Sequence, residues 1–395
     1  MPVPSTLISV IIKILWADKM EKEPLLMLPG PVPMPERVRL AMARQAINHR
    51  GAEFGNLYAD CVRILKEAFG TGNDLFVISG SGTAAMEAAV ANFGKDRMIT
   101  CMVNGKFGER LFKISQRYGT ARAISSEWGT PLDLRELERH LTEGAEMVTL
   151  VHNETSAGIK NPAEKIGKLV REYDALFVMD GITSIGGDDV KADAWGADLA
   201  VVGSQKCLAA PAGLSAISVS GRAWERLSEM RPYYLDLAAY RKSAASAMME
   251  TPYTPAVPLF MALREACRIV EEEGLATRIA RHRKMAEAVR AAVRAWGLDL
   301  FPLVDADHAY SNTVTAVKLP SGVNDSAFRG AVKKSGIEIA GGQDHLKGNI
   351  FRIGTMGAIG PQEILATLVA VENSLRLQGY KPEGDGIMEA CGVLT

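Results

Sequence analysis

The chain has 395 residues, of which 47% are apolar and 23% charged, enough to bury a large core and more than one domain ordinarily holds. Its formal net charge of -1, from 45 basic and 46 acidic residues, offers no broad footprint for nucleic acid or an anionic membrane and leaves small molecules as the expected partners. Five cysteines (Cys61, Cys101, Cys207, Cys267, Cys391) stand far apart, without CxxC spacing or nearby histidines, so neither a metal site nor a disulfide framework is expected and a reducing cytoplasm fits.

The first apolar stretch, 7–16, is interrupted by Lys13 and is too short to span a bilayer; lacking a basic lead and a small-residue cleavage site, it is expected to be an arm, 1–24, packed on the body or on a partner subunit. From residue 56 short apolar runs alternate with amphipathic stretches, the pattern of a wound α/β sheet. Strands are expected at 75–79, 98–103, 147–151, 176–179, 199–202 and 215–219, with helices at 83–92, 106–118 and 162–173, all within a large domain, 25–275. Helical spacing over 256–273 and an Ala/Arg/Lys-rich segment, 275–296, lead into a smaller C-terminal domain, 276–380. It is expected to hold strands at 313–319 and 351–353, a helix capped near Asn324 or Asp325, and a closing helix after Pro361. Residues 381–395 read as a flexible tail.

Three places carry chemistry. Ser79-Gly80-Ser81-Gly82-Thr83 falls between a strand and a helix, where free backbone N–H groups and the helix dipole favour a phosphate. The same segment satisfies a loose dinucleotide fingerprint, but that reading needs an acidic residue after the next strand, and the strand at 98–103 is followed by Asn104-Gly105. Asp180 closes the apolar run at 176–179, which places its carboxylate at the carboxyl end of a strand, where open α/β sheets bind ligands. Lys206, in Gly203-Ser204-Gln205-Lys206-Cys207, follows the apolar run 199–202. An anion nest, a carboxylate for a pyridinium nitrogen and an amine for an aldehyde are together what pyridoxal 5'-phosphate requires. In that scheme Lys206 holds the cofactor as a Schiff base and, once displaced by substrate, moves the proton between the substrate Cα and the cofactor. Cys207 reads as a small buried packing residue.

With these residues in place, the chain resembles the class V aminotransferases, in particular their alanine–glyoxylate and serine–pyruvate branch, over nearly all of residues 25–378. The likeness rests on Leu28-Pro29-Gly30-Pro31, Asn48-His49-Arg50, Ser81-Gly82-Thr83 with Glu87, and Asn104 through Arg110. It continues through His152 to Gly158, Asp180 with Gly186-Gly187, Ser204-Gln205-Lys206, Thr251 to Pro255 and Phe351-Arg352-Ile353-Gly354.

The resemblance implies the fold type I architecture of PLP-dependent transferases and a homodimer with shared active sites. It further implies that Ser81, Gly82 and Thr83 hold the cofactor phosphate with help from Gln205, that Phe107 stacks on the ring, and that Thr155 bonds its phenolic oxygen. Asp180 would meet the ring nitrogen, Thr254 would reach the neighbouring subunit's phosphate, and Arg352, with Gly30 beside it, would receive the substrate α-carboxylate. The reaction implied is amino transfer from alanine or serine to glyoxylate or pyruvate.

Aspartate with 2-oxoglutarate is the alternative pair, and it calls for a second cation, for which Arg231, Arg241 and Lys242 are in sequence range. A cysteine desulfurase-type lyase would need a C-terminal acceptor cysteine, yet none lies between Cys267 and Cys391. A nicotinamide oxidoreductase fails on the missing acidic residue, and a non-catalytic scaffold would not retain the whole set of chemical groups.

Overall fold

A computed structural model describes residues 23–395. The expected arm, 1–24, therefore lies outside the described residues except for Glu23 and Pro24. A seven-stranded sheet organises the larger part, in the order Asp74–Ser79, Leu214–Val219, Leu199–Gly203, Leu176–Asp180, Met147–Val151, Met98–Val103, Thr120–Ser125. Leu214–Val219 runs antiparallel to both of its neighbours; the remaining pairings are parallel.

Every residue of Met147–Val151, Leu176–Asp180 and Leu199–Gly203 is buried, which is why these strands read as unbroken apolar runs: both faces are covered. Alternate side chains enter separate cores. Phe177, Met179, Ala200 and Val202 join the core beneath the helices Ala52–Phe69 and Val257–Glu273, whereas Leu176, Val178, Leu199 and Val201 pack with the helices Gly82–Phe93 and Lys106–Tyr118. The edge strand Thr120–Ser125 went unread because its sequence, small and polar, leaves it half-exposed with no apolar run to detect.

A second, four-stranded sheet has the order Leu25–Met27, Ile337–Gly341, Ile350–Gly354, Val314–Lys318. Leu25 to Met27 pair with Ile337 to Ile339, so these residues belong to the smaller sheet. This corrects the expected division that placed everything from residue 25 in the large domain: a three-residue strand is too short to show periodicity. Asn324 caps the helix Asp325–Lys334 through its side chain, which accepts from the Ala327 N–H at 2.9 Å.

The expected flexible tail, 381–395, is also corrected. Gly386–Leu394 is a helix whose N-cap Asp385 accepts from the Met388 N–H at 3.0 Å. Its Ala390 is fully buried in the core that contains Trp296, with Ile387, Val393 and Leu394 packed around it. The segment's glycines and short length hid an apolar face that finds its partner only in the folded chain. No helix among the described residues is long and apolar enough to cross a membrane.

Candidate active site

The strands of the large sheet deliver their carboxyl ends to one edge, as open α/β sheets do at ligand sites. There, Ser81, Gly82, Thr83, Phe107, Arg110, Val151, Asn153, Thr155, Asp180, Ile182, Thr183, Gln205 and Lys206 line one partly open cavity. Seven of the sequence-predicted residues that had been assigned to the cofactor by resemblance or chemistry thus meet with Lys206.

Ser81 is the N-cap of the helix Gly82–Phe93 and has no side-chain capping bond, and Ser81, Gly82 and Thr83 at this helix start line the cavity. A Cβ on Gly82 would lie 2.5 Å from Ile182 Cδ1; the glycine lets this helix end approach the loop after Asp180. Gln205 Oε1 and Asn153 Oδ1 are buried without hydrogen-bond partners, which marks polar capacity that a ligand with donors or bridging water would satisfy.

Phe107 is set by a buried carboxylate. Glu154 accepts from the backbone N–H groups of Phe107 and Gly108, each at 3.0 Å, and from Ser156, which satisfies the start of the helix Lys106–Tyr118. Burial raises the pKa of Glu154 against these stabilising bonds. The Arg110 guanidinium lies 4.7 Å from the Phe107 ring centroid and donates to Thr83 Oγ1 at 3.1 Å.

Asp180 is buried, and its Oδ1 accepts from the Ile182 N–H at 2.8 Å. Burial pushes its pKa up to about 7, with the nearby Glu154 carboxylate adding in the same direction. A carboxyl so placed ionises readily only opposite a cation. Lys206 Nζ donates to the Pro29 carbonyl, and burial lowers its pKa to about 8, so a larger share of neutral amine is present near neutral pH than on an exposed lysine. Thr155 Oγ1 sits 2.8 Å from Thr183 Oγ1.

Arg352 and Gly30 lie just beyond the cavity lining. The buried guanidinium of Arg352 donates to the carbonyls of Thr155 (3.0 Å) and Gly341 (2.8 and 3.0 Å), and among the described residues it meets no carboxylate in a salt bridge. Burial lowers its pKa to about 10. Gly30, at φ 105°, rests against the Lys206 side chain. Thr254 is exposed and does not line the cavity of its own chain.

Arg231 is paired with Asp236 at 2.7 Å, and Arg241 with Asp74 at 3.1 Å; neither these nor Lys242 lines the cavity. Cys207 is fully buried, its thiol pointing to the Thr183 carbonyl at 3.4 Å and pushed up to about 12 by burial, unsuited to nucleophilic attack. Arg110, Asn153, Ile182 and Thr183 were given no role from sequence. Each stands two or three residues from a residue that was; Arg110 shares a helix face with Phe107 at i,i+3 spacing, whereas for the other three spacing alone does not tell which turn inward. Among the described residues no group of three or more His, Cys, Asp or Glu side chains is placed to hold a metal.

Comparison with known proteins adds to this geometry. The profile of the family described as aminotransferase class-V matches residues 39–359. An uncharacterized aminotransferase of Methanocaldococcus jannaschii is 45% identical over 379 residues, covering 94% of this chain and 97% of that protein. A serine–glyoxylate aminotransferase of Methylorubrum extorquens is 32% identical over 387 residues, covering 93% and 95%. Among solved structures, the ureidoglycine–glyoxylate aminotransferase of Bacillus subtilis superposes with a TM-score of 0.88 at 32% identity, covering 94% of this chain and 97% of that one.

Proposed function

Because the chain belongs to the class V aminotransferases, we propose that it uses pyridoxal 5'-phosphate held at Lys206 to move an amino group from alanine or serine to glyoxylate or pyruvate. The observation that carries this reading is the meeting of Lys206, Asp180 and the Ser81–Thr83 helix start around one cavity. An anion nest, a buried acid and a depressed lysine fit the phosphate, ring nitrogen and aldehyde of that cofactor.

When bound, the cofactor supplies an aldehyde for the amino group and an electron-poor ring that drains charge from the substrate Cα. Ser81, Gly82 and Thr83, with Gln205, hold the phosphate end; Phe107 offers its face to the ring and Thr155 a hydroxyl to the phenolic oxygen. Asp180, whose carboxyl burial raises to about 7, would be held ionised by a protonated ring nitrogen and would keep the proton there. Lys206 Nζ, largely neutral above about pH 8, takes the substrate Cα proton. Arg352 keeps guanidinium donors free of any carboxylate, ready for the substrate's α-carboxylate beside Gly30.

Thr254, exposed on the loop before the helix Val257–Glu273, serves the phosphate of a second subunit, so the active unit is a homodimer with shared sites. Small substrates are preferred over the aspartate and 2-oxoglutarate pair because Arg231 and Arg241 are committed to Asp236 and Asp74. The serine–glyoxylate relative supports the same preference, and five unpaired cysteines suit a reducing cytoplasm. Borohydride reduction after reconstitution, followed by peptide mapping, tests the reading: the cofactor's mass should appear on the peptide containing Lys206, and its appearance on another lysine or on none contradicts it.

A further inference from the structure

Among the described residues the cavity lining contains one cation besides Lys206, and it has no role in the account so far. Arg110 lines the cavity at the end where the helix Gly82–Phe93 begins, and its Nη1 donates to Thr83 Oγ1 at 3.1 Å. No carboxylate among the described residues forms a salt bridge with it, although Lys106 on the same helix pairs with Asp344. Every other group assigned to the phosphate end, Ser81, Gly82, Thr83 and Gln205, is neutral. Lys206 is turned toward the Pro29 carbonyl.

Resting on the cofactor reading above, we propose that Arg110 is the charged member of the phosphate subsite, acting on the ester both by its own charge and through the Thr83 hydroxyl. A hydroxyl that accepts from a guanidinium keeps its own proton to donate, and that proton is polarised toward an anion. A doubly charged phosphate held only by neutral dipoles would lack the charge-assisted bonds that are roughly twice as strong as neutral ones. Arg110 also touches the Phe107 ring, so its competing role is to set that ring's position.

Two ligands separate these roles. Pyridoxal 5'-phosphate and pyridoxal share the ring and differ in the phosphate. Dissociation constants of both, measured by absorbance titration of the apo protein, should show that Arg110→Gln weakens pyridoxal 5'-phosphate by about tenfold to a hundredfold while changing pyridoxal by less than about twofold. In an independent measurement on wild type and Arg110→Lys, inorganic phosphate should raise the melting temperature of both apo proteins, since both retain the charge. Equal weakening of the two ligands by Arg110→Gln, or weakening of neither, overturns the proposal, as does a wild-type melting temperature indifferent to phosphate. A wild-type protein that binds neither aldehyde overturns the cofactor reading itself.

Discussion

A Cβ built on Gly30 would lie 2.6 Å from Lys206 Nζ and 2.6 Å from its Cδ, so the loop leaving the strand Leu25–Met27 of the smaller sheet and the lysine loop of the larger one touch with no room for a methyl group. Gly30 also has φ 105°, a sparsely populated conformation that costs an L-residue about 1–3 kcal/mol. Gly30→Ala should therefore displace the lysine as well as strain the loop. The expected result is a folded protein with a slightly lower melting temperature and severalfold slower cofactor uptake; unchanged uptake would show that the contact does not set the position of Lys206.

Asp180 gives a pH dependence with a definite sign. Its folded pKa is raised to about 7, above the ordinary carboxyl value. The fold therefore keeps a proton that the unfolded chain releases. The stability linked to it is fully present below the ordinary carboxyl pKa and is lost by ~1.4 kcal/mol per pH unit as pH rises toward 7. In apo protein, urea unfolding should show wild type losing ground to Asp180→Asn between pH 5 and 7. A gap independent of pH contradicts the raised pKa.

Arg352→Lys keeps a charge but loses the planar fork. Because the guanidinium is already anchored to the Thr155 and Gly341 carbonyls, it is fixed for one direction of approach. The variant should take up cofactor normally while its KM for amino acids rises about tenfold to a hundredfold, the worth of a charge-assisted pair. Weakened cofactor uptake with an unchanged KM would assign Arg352 to the cofactor instead.

Truncation after Lys381 removes the helix Gly386–Leu394 and uncovers the core around Trp296. Losing the full burial of Ala390 and the partial burial of Ile387, Val393 and Leu394 should cost a few kcal/mol, less than the about 1.5–3 kcal/mol that each large side chain contributes when fully buried. Thermal unfolding should show a clear drop in melting temperature. A truncated protein as stable as the full chain would mean that the segment is an appendage.

The central strands were legible because burial on both faces leaves a continuous apolar run, and Asp180 and Lys206 could be placed because the first directly follows such a run and the second follows one after three intervening residues. Thr120–Ser125, Leu25–Met27 and Ile337–Gly341 were not, since an edge strand or a three- to five-residue pairing is defined by its neighbour more than by its own composition. At the site, residue type announced the lysine, the acid and the glycine-rich turn. The inward aim of Asn153 and Thr183 depends on paths after the strands that no periodicity encodes, whereas Arg110 follows Phe107 by three residues on one helix. The same limit kept the directions of Arg231 and Arg241 unknown until their carboxylate partners, Asp236 and Asp74, were in view.

The most direct test of the central claim is a single-turnover half-reaction. Alanine, serine, aspartate and cysteine are added separately to the reconstituted protein, and the cofactor's absorbance is followed against a Lys206→Ala control. The account predicts rapid conversion to the amine form of the cofactor with alanine or serine, reversal by glyoxylate, and no turnover in the control. Response to aspartate alone would contradict the proposed substrates, and absence of cofactor absorbance after reconstitution would contradict the proposed chemistry altogether.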